Sequence, residues 1–301
     1  MKLLKRSMIV AATLGGLLAA GAGPASAIVG GQDASQSYPG MAALSVFYPG
    51  LGTAKCGAML IHPRFLLTAA HCVSDQEAAP TPIPAPGGNV TARIGSTDRT
   101  SGGVVATGKQ VYLHPDWMWG VPGKPVSDLA LVELTSAVPL PPMPVSGRQV
   151  GIADATRLIG WGLTEFPPSA GTTIPVTLQQ RDTTRLPSTV CVGGFIGAGE
   201  TCLGAGACFG DSGGPALRPA GAGRHGVRRW ASVGIASRET SEEDPCGRPA
   251  VFTDPTYAPF RAWILTTIFK PTIRPCTCPS VHTMDATGSA RMNLLKPLIV
   301  P

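Results

Sequence analysis

The apolar residues of this chain come in short runs that glycine and proline interrupt. The 301 residues include 38 glycines and 30 prolines, and between them lie short runs rich in valine, isoleucine, leucine and alanine, at 58–61, 90–94, 129–134 and 232–236. Runs of this length suit β-strands and are too short for core helices. The pattern therefore predicts an all-β fold, either a barrel or a sandwich.

The first 27 residues have the three parts of a secretory signal peptide. A basic start precedes an apolar run from Met8 to Ala20, and residues 25–27, Ala-Ser-Ala, form a small-x-small cleavage site. The apolar run is too short to be a membrane span, and no other stretch of the sequence is long and apolar enough to cross a bilayer. We therefore expect a secreted, extracellular protein that has no membrane partner after the signal is removed.

The net charge gives no sign of a nucleic-acid partner. The formal charge of +6 includes Lys2, Lys5 and Arg6 of the predicted signal, so the mature charge is 6 − 3 = +3. A charge this mild does not make a basic binding surface. Roughly 270 residues remain after the signal, which is enough for a core in two lobes.

Three motifs hold a histidine, an aspartate and a serine in that order along the chain. They are His71 in Leu-Thr-Ala-Ala-His-Cys, Asp128 in Ser-Asp-Leu-Ala-Leu, and Ser212 in Gly-Asp-Ser-Gly-Gly-Pro. Singly, each has an ordinary structural explanation, such as a packed histidine, a turn aspartate or a loop serine. Together they provide the base, the orienting carboxylate and the nucleophile of a hydrolase.

Two further motifs, Ile-Val-Gly-Gly at 28–31 and Gly-Trp-Gly at 160–162, complete a set of five in one order. With this set the chain resembles the trypsin-like (chymotrypsin-fold) secreted serine proteases, of bacterial type, from residue 28 to about 269. The resemblance implies an all-β fold of two antiparallel six-stranded β-barrels with a C-terminal helix, and an active site in the cleft between the barrels. It also leaves open a homologue that keeps the fold but binds rather than cuts.

The resemblance implies one protease domain at 28–269, between the signal peptide, 1–27, and a disordered extension, 270–301. The expected parts of the domain are an N-terminal barrel at about 28–137, a C-terminal barrel at about 146–253 and a helix at about 255–269. Asp254 is expected to cap this helix, with Pro255 in its first turn.

The catalytic roles follow from the resemblance. Ser212 is the expected nucleophile, His71 the general base, and Asp128 the carboxylate that orients the imidazole. The backbone amides of Gly210 and Ser212 are the expected oxyanion hole. Neither a cofactor nor a metal is expected. The protein is expected to be a monomer, and its expected partners are protein or peptide substrates.

The eight cysteines of an exported chain are first candidates for disulfides. The resemblance implies three pairs: Cys56 with Cys72, Cys191 with Cys202, and Cys208 with Cys246. Cys276 and Cys278 lie outside the family pattern. For them we favour a local bridge or an intermolecular link over a metal site with the nearby His282.

The resemblance also indicates which residues line the substrate pocket. The position at the base of the pocket holds glycine, so a simple preference for lysine or arginine is not supported. Two other positions carry side chains in place of glycines, and one carries arginine in place of an aromatic residue. The expected lining residues are Gly206, Ala207, Phe209, Ser237, Arg238, Glu239 and Ala250.

Two substrate preferences remain open from these residues. Glu239 and Ala250 replace glycines and could narrow an uncharged pocket, which favours small or medium apolar residues on the acyl side of the cut. Glu239 could instead turn inward and attract a basic side chain, or it could be a solvated rim carboxylate beside Glu242 and Glu243. We favour the apolar pocket.

The position of the signal site generates a prediction about activation. In the family, the free ammonium of the Ile-Val-Gly-Gly terminus pairs with the aspartate before the nucleophile, which here means Ile28 with Asp211. Cleavage after Ala27 exposes Ile28 directly, so we expect the protease to be competent on export. Amino-terminal sequencing of the secreted protein tests this. A start near Ala22 or Gly23 in an inactive form would point to a short pro-segment instead.

Overall fold

The computed structural model describes residues 28–75, 82–118, 126–170, 172–222 and 228–270. The expected signal peptide and almost all of the expected extension, with Cys276 and Cys278, lie outside these described residues. The described strands are β1 Gln32–Asp33, β2 Met41–Tyr48, β3 Gly52–His62, β4 Phe65–Thr68, β5 Ser74–Asp75, β6 Ile83–Pro84, β7 Val90–Ile94, β8 Val104–Leu113, β9 Ala130–Leu134, β10 Ala155–Gly160, β11 Gln179–Leu186, β12 Glu200–Leu203, β13 Pro215–Ala222, β14 Arg228–Arg238 and β15 Ala250–Thr253. The helix α1 spans Ala258–Ile268, and 3₁₀ turns lie at Ala70–Cys72, Gly87–Asn89 and Ser188–Gly194.

The first barrel is closed by six antiparallel strands in the order β2-β3-β4-β9-β8-β7. Side chains alternate between its interior and its outer face, as the two-residue period of a strand requires. On β7, Val90, Ala92 and Ile94 are buried, while Thr91 is exposed and Arg93 partly exposed. The inward-facing side chains of these six strands belong to the larger apolar cluster of the described residues, which also takes in Ile159, Leu217 and Ile235 of the second barrel.

The second barrel is a ring of six antiparallel strands in the order β11-β10-β13-β14-β15-β12, and β12 pairs back to β11. Its buried side chains include Leu158, Ala216, Val233 and Phe252, which pack together in a separate core cluster. The predicted fold, two six-stranded antiparallel barrels and a C-terminal helix, is therefore confirmed.

The first described residues belong with the second barrel, although the sequence analysis placed them in the first. β1 pairs with β11 through Gln32 and Gln180. Ile28, just before β1, is buried in the second core. Burial of this apolar side chain in the second core is favourable, and it holds the first described residues on the second lobe.

The helix begins three residues later than expected, at Ala258. Asp254 does not cap it, because the Asp254 carboxylate accepts the backbone amide of Thr256 at 2.8 Å and closes a turn before the helix. Pro259 rather than Pro255 occupies the first turn. Among the described residues, no helix has the length and apolar character needed to cross a membrane.

The two barrels are in close contact at Gly57 on β3. Its amide donates to the Ser212 carbonyl oxygen at 2.7 Å. A Cβ atom at position 57 would lie 2.6 Å from Cα of Gly214, so only glycine fits without a backbone shift. This contact fixes the segment that carries Ser212 against the first barrel.

Candidate active site

His71 and Asp128 meet because the strands that lead to them are neighbours. β4 ends at Thr68, shortly before His71, and β9 begins at Ala130, shortly after Asp128. Thr68 pairs with Ala130 in the antiparallel register. Two residues that are 57 positions apart in the chain therefore reach the same edge of the first barrel.

The Asp128 carboxylate is fully buried and holds the imidazole by direct contact. Its Oδ2 lies 2.7 Å from His71 Nδ1, and its Oδ1 accepts the His71 backbone amide at 2.9 Å. Ser237, on β14 of the second barrel, donates its hydroxyl to Oδ2 at 2.7 Å. These contacts fix the ring and direct its Nε2 edge away from the carboxylate.

The electrostatics of this pair favour an ionised carboxylate. Burial raises the pKa of Asp128, but the contacts with His71 and the hydroxyl of Ser237 outweigh burial and lower it overall. Burial lowers the pKa of His71, and the charge and hydrogen bond of Asp128 more than offset this, so the pKa ends above its ordinary value. The imidazole is thus a stronger base than a free histidine.

A disulfide anchors the 3₁₀ turn that carries His71. Cys56 on β3 bonds Cys72, the residue after His71. Among the described residues, the one cluster with metal-ligand geometry is His71 with these two cysteines. Their sulfurs bond each other, so neither can act as a thiolate ligand. The other two expected pairs, Cys191 with Cys202 and Cys208 with Cys246, are also present.

Ser212 lies in a loop that both barrels hold. Its carbonyl oxygen accepts the Gly57 amide from the first barrel, and the next amide, of Gly213, donates to Ala236 on β14 at 2.8 Å. The Ser212 residue is partly exposed and lines the cleft between the loop and the end of β14. The side-chain hydroxyl is therefore accessible from the cleft, while its backbone is fixed.

The amides of Gly210 and Ser212 are the predicted oxyanion hole. No hydrogen bond of the described residues uses either amide as a donor. Gly210 has φ +98°, in the region that favours glycine. Two free amides beside a serine hydroxyl are the donors that an oxyanion hole requires.

Asp211 and Ile28 line one small cavity behind the Ser212 loop. The Asp211 carboxylate accepts the amides of Gly162 and Cys208 at 2.8 and 3.0 Å. Burial nevertheless raises its pKa to about 7, and these two bonds only partly offset the effect. The free energy of unfolding therefore falls as the pH rises from the ordinary pKa of this carboxylate, 3.8, to about 7. A cation placed beside the ionised carboxylate would offset this loss of stability.

The cleft beside Ser212 is mainly apolar. Its empty volume, which includes open solvent, is ≈ 400 Å³. Six of the seven expected pocket residues line it, and they are Ala207, Phe209, Ser237, Arg238, Glu239 and Ala250. Gly206 does not line it, because Gly206 packs against Ile28 and the Arg181 side chain, which a Cβ atom there would meet at 2.8 Å.

Arg238 does not face the cleft as a free cation. Its guanidinium forms two parallel bonds to the Glu200 carboxylate, at 2.6 and 2.8 Å, and a third to the Gly194 carbonyl oxygen at 2.6 Å. Both side chains of the ion pair are buried. Bidentate geometry is the strongest form of this interaction. By the resemblance described above, Arg238 occupies a position at which the family carries an aromatic side chain.

A chain of hydrogen bonds connects the ion pair to the buried carboxylate of Asp128. Arg238 Nη1 donates to the Ser237 hydroxyl at 3.2 Å, and that hydroxyl donates to Asp128. Sequence reasoning identified Arg238 but missed Glu200. A lone acidic residue at the start of an apolar strand was the available signal, and nothing in the chain indicated its partner.

Comparisons with known proteins identify the family of the chain. The family model described as Trypsin matches residues 28–264. Azurocidin of Homo sapiens is 30% identical over 85% of this chain and 94% of its own length, and Granzyme M of Homo sapiens is 28% identical over 83% and 92%. Trypsin of the beetle Phaedon cochleariae is 29% identical over 69% and 77%.

The two barrels, the His71–Asp128 pair at their junction and the family match define one class of protein. The chain belongs to the trypsin family, the chymotrypsin-fold serine proteases. The relatives named above are animal proteins, so they do not support the expected bacterial type.

Breaking the Arg238–Glu200 pair should destabilise the protein strongly. Glu200→Gln leaves a buried guanidinium without its counter-charge, and we expect the free energy of unfolding to fall by about 3–5 kcal/mol. Urea unfolding followed by tryptophan fluorescence measures this.

Glu242→Gln is the matched control, since Glu242 is exposed and makes no ion pair with a described residue. Its unfolding free energy should change by less than about 0.5 kcal/mol. The double variant Glu200→Leu with Arg238→Met should recover much of the loss, because it removes both charges together. Equal effects of the two glutamine variants would contradict the assigned role of the pair.

Proposed function

We propose that this protein is a secreted, monomeric serine endopeptidase that hydrolyses peptide bonds through an acyl-enzyme on Ser212. The observation that carries the proposal is the buried Asp128 carboxylate that holds His71 by two contacts, beside a cleft lined by Ser212. Membership of the trypsin family supports it.

The proposed reaction begins when His71 accepts the proton of the Ser212 hydroxyl, whose oxygen attacks the carbonyl carbon of the scissile bond. The carbonyl oxygen becomes an oxyanion and accepts the amides of Gly210 and Ser212. When the intermediate collapses, the C–N bond breaks, and His71 gives its proton to the leaving amine. Asp128 stays ionised and stabilises the imidazolium.

The second half of the reaction uses water. His71 accepts a proton from the water molecule, whose oxygen attacks the acyl carbon, and a second oxyanion forms in the same place. Collapse breaks the bond to Ser212, which takes back the proton from His71, and the carboxylic acid product leaves. The partial exposure of Ser212 on the cleft supports access of both substrate and water.

Activation belongs to the same proposal. The new ammonium of Ile28 would lie against the Asp211 carboxylate, which shares a cavity with Ile28. The raised pKa of Asp211 supports this role, because a buried carboxylate that lacks a cation is unstable at neutral pH. The pair would fix the loop that carries the amide of Gly210.

Covalent labelling tests the catalytic assignment. A serine-directed sulfonyl fluoride should label one site on the processed protein, and Ser212→Ala should abolish both the label and peptide hydrolysis. Because His71 must be neutral to accept a proton, kcat/KM should fall on the acid side with a midpoint above the ordinary imidazole value of about 6.5. Absence of labelling in a correctly folded, processed protein would favour the alternative, a silent binding protein.

For substrate preference we propose small or medium apolar residues on the acyl side of the cut. The apolar lining of the cleft supports this, and so does the neutralisation of Arg238 by Glu200. Ala250 is buried in the wall and occupies space that a glycine would leave open.

A second preference, for basic residues, is favoured by Glu239. This exposed side chain lines the cleft and makes no ion pair among the described residues. It would attract a lysine or arginine that reaches the mouth of the cleft.

A peptide-library digest separates the two preferences. We expect the wild type to cut after apolar residues, and Glu239→Gln to leave that order of preference unchanged. Glu243→Gln, at an exposed position outside the cleft lining, is the matched control. Dominant cutting after lysine or arginine, reduced at least about tenfold by Glu239→Gln but not by Glu243→Gln, would contradict the apolar preference and support the second one.

A further inference from the structure

A second cavity, which we call the cationic groove, lies beside the Ser212 loop. It is lined by Lys55, Arg93, Arg99, Trp161, Ile174 and Gly210 among other residues, and its empty volume, which includes open solvent, is ≈ 630 Å³. Phe209, just before Gly210, and Ser212, two residues after it, line the apolar cleft instead. The two cavities therefore lie on either side of one short loop.

The strand register of the first barrel brings two of the three cations to one outer face. Ser45 on β2 pairs with Lys55 on β3, and Ala43, two residues earlier on β2, pairs with Arg93 on β7. Residues two apart on a strand share a face, so these four side chains point outward together. The small Ala43 and Ser45 form a floor between the two long cations.

Neutral groups hold the three cations in place. Arg99 donates from Nε to the Pro175 carbonyl oxygen at 2.7 Å and from Nη2 to that of Ile174 at 2.8 Å. Lys55 Nζ donates to the Ser45 hydroxyl at 2.8 Å, and Arg93 donates to a backbone carbonyl of its own barrel. These bonds orient the side chains without cancelling their charge.

No carboxylate among the described residues lines the groove or forms an ion pair with these cations. The neighbouring Asp98 is directed elsewhere, because its carboxylate accepts bonds from Thr100 and Ser101. An ordinary solvated face mixes both signs of charge, whereas this concave surface carries one sign only. A single-sign cavity attracts a ligand of the opposite charge.

A disulfide connects the lining of the groove to the turn that carries His71. Cys56 lines it, and Cys56 is bonded to Cys72, the neighbour of His71. His71 is the group that would give a proton to the leaving amine. A peptide with its acyl side in the apolar cleft would therefore continue past Gly210 into the groove.

We infer that the cationic groove binds the first residues on the leaving-group side of the substrate and selects acidic side chains there. This inference rests on the proposed endopeptidase activity and adds a second requirement to its substrates. The preferred substrates are peptides with an apolar residue before the cut and aspartate or glutamate soon after it.

Competition between two peptides tests the inference. Both peptides carry the same acyl-side sequence, taken from the wild-type digest, and differ only in glutamate or glutamine at the first two leaving-side positions. The ratio of kcat/KM values comes from one reaction mixture, so it does not depend on how much of a variant folds. We expect the wild type to favour the glutamate peptide by about fivefold at low salt, which is typical of a partly exposed ion pair.

Arg93→Gln and Arg99→Gln should each bring the ratio towards one, and so should about 1 M salt, which shortens the Debye length to about 3 Å. Arg148→Gln is the matched control, since Arg148 is an exposed arginine outside the groove and should keep the wild-type ratio. A wild-type ratio near one, or a ratio that neither groove substitution changes, would overturn this inference alone. Failure of the wild type to cut any peptide of the library digest would overturn the proposed protease function, and this inference with it.

Discussion

One buried negative charge holds the site together. The Asp128 carboxylate is enclosed by groups from both barrels, with His71 in the first barrel and Ser237 in the second. The Asp128 carbonyl oxygen also accepts the Thr253 hydroxyl of the second barrel at 2.9 Å. Removing an ionised carboxylate from water is costly unless such partners are present. The charge is therefore stable only when both lobes are folded and docked.

Much of the architecture follows from patterns along the chain. Short apolar runs broken by glycine and proline become strands, because a strand needs few residues to bury one face. The His71 and Asp128 motifs meet because the strands beside them are apolar and pair as neighbours, as Thr68 and Ala130 do. In such cases the apolar pattern that predicts a strand also agrees with the pairing of that strand in the structure.

Other features depend on contacts that the sequence pattern does not contain. The Arg238–Glu200 pair joins residues 38 positions apart, and neither residue alone indicates a buried partner. Gly206 turns away from the cleft because Ile28 and Arg181 fill the space beside it. The helix starts late because the Asp254 side chain closes a turn, which a residue of this type does as readily as it caps a helix. Tertiary packing decides each of these.

The beginning of the described chain has a consequence for the order of assembly. Ser35, just after β1, donates its amide to the Gln180 side chain, 145 residues further along. During synthesis, this contact therefore cannot form until the first two strands of the second barrel, β10 and β11, have emerged. Closing so long a loop is slow compared with folding of the first barrel, which needs only its own strands. Docking of the amino-terminal segment thus depends on a strand of the second lobe, so the two ends of this contact are joined only after the first barrel has its own strands.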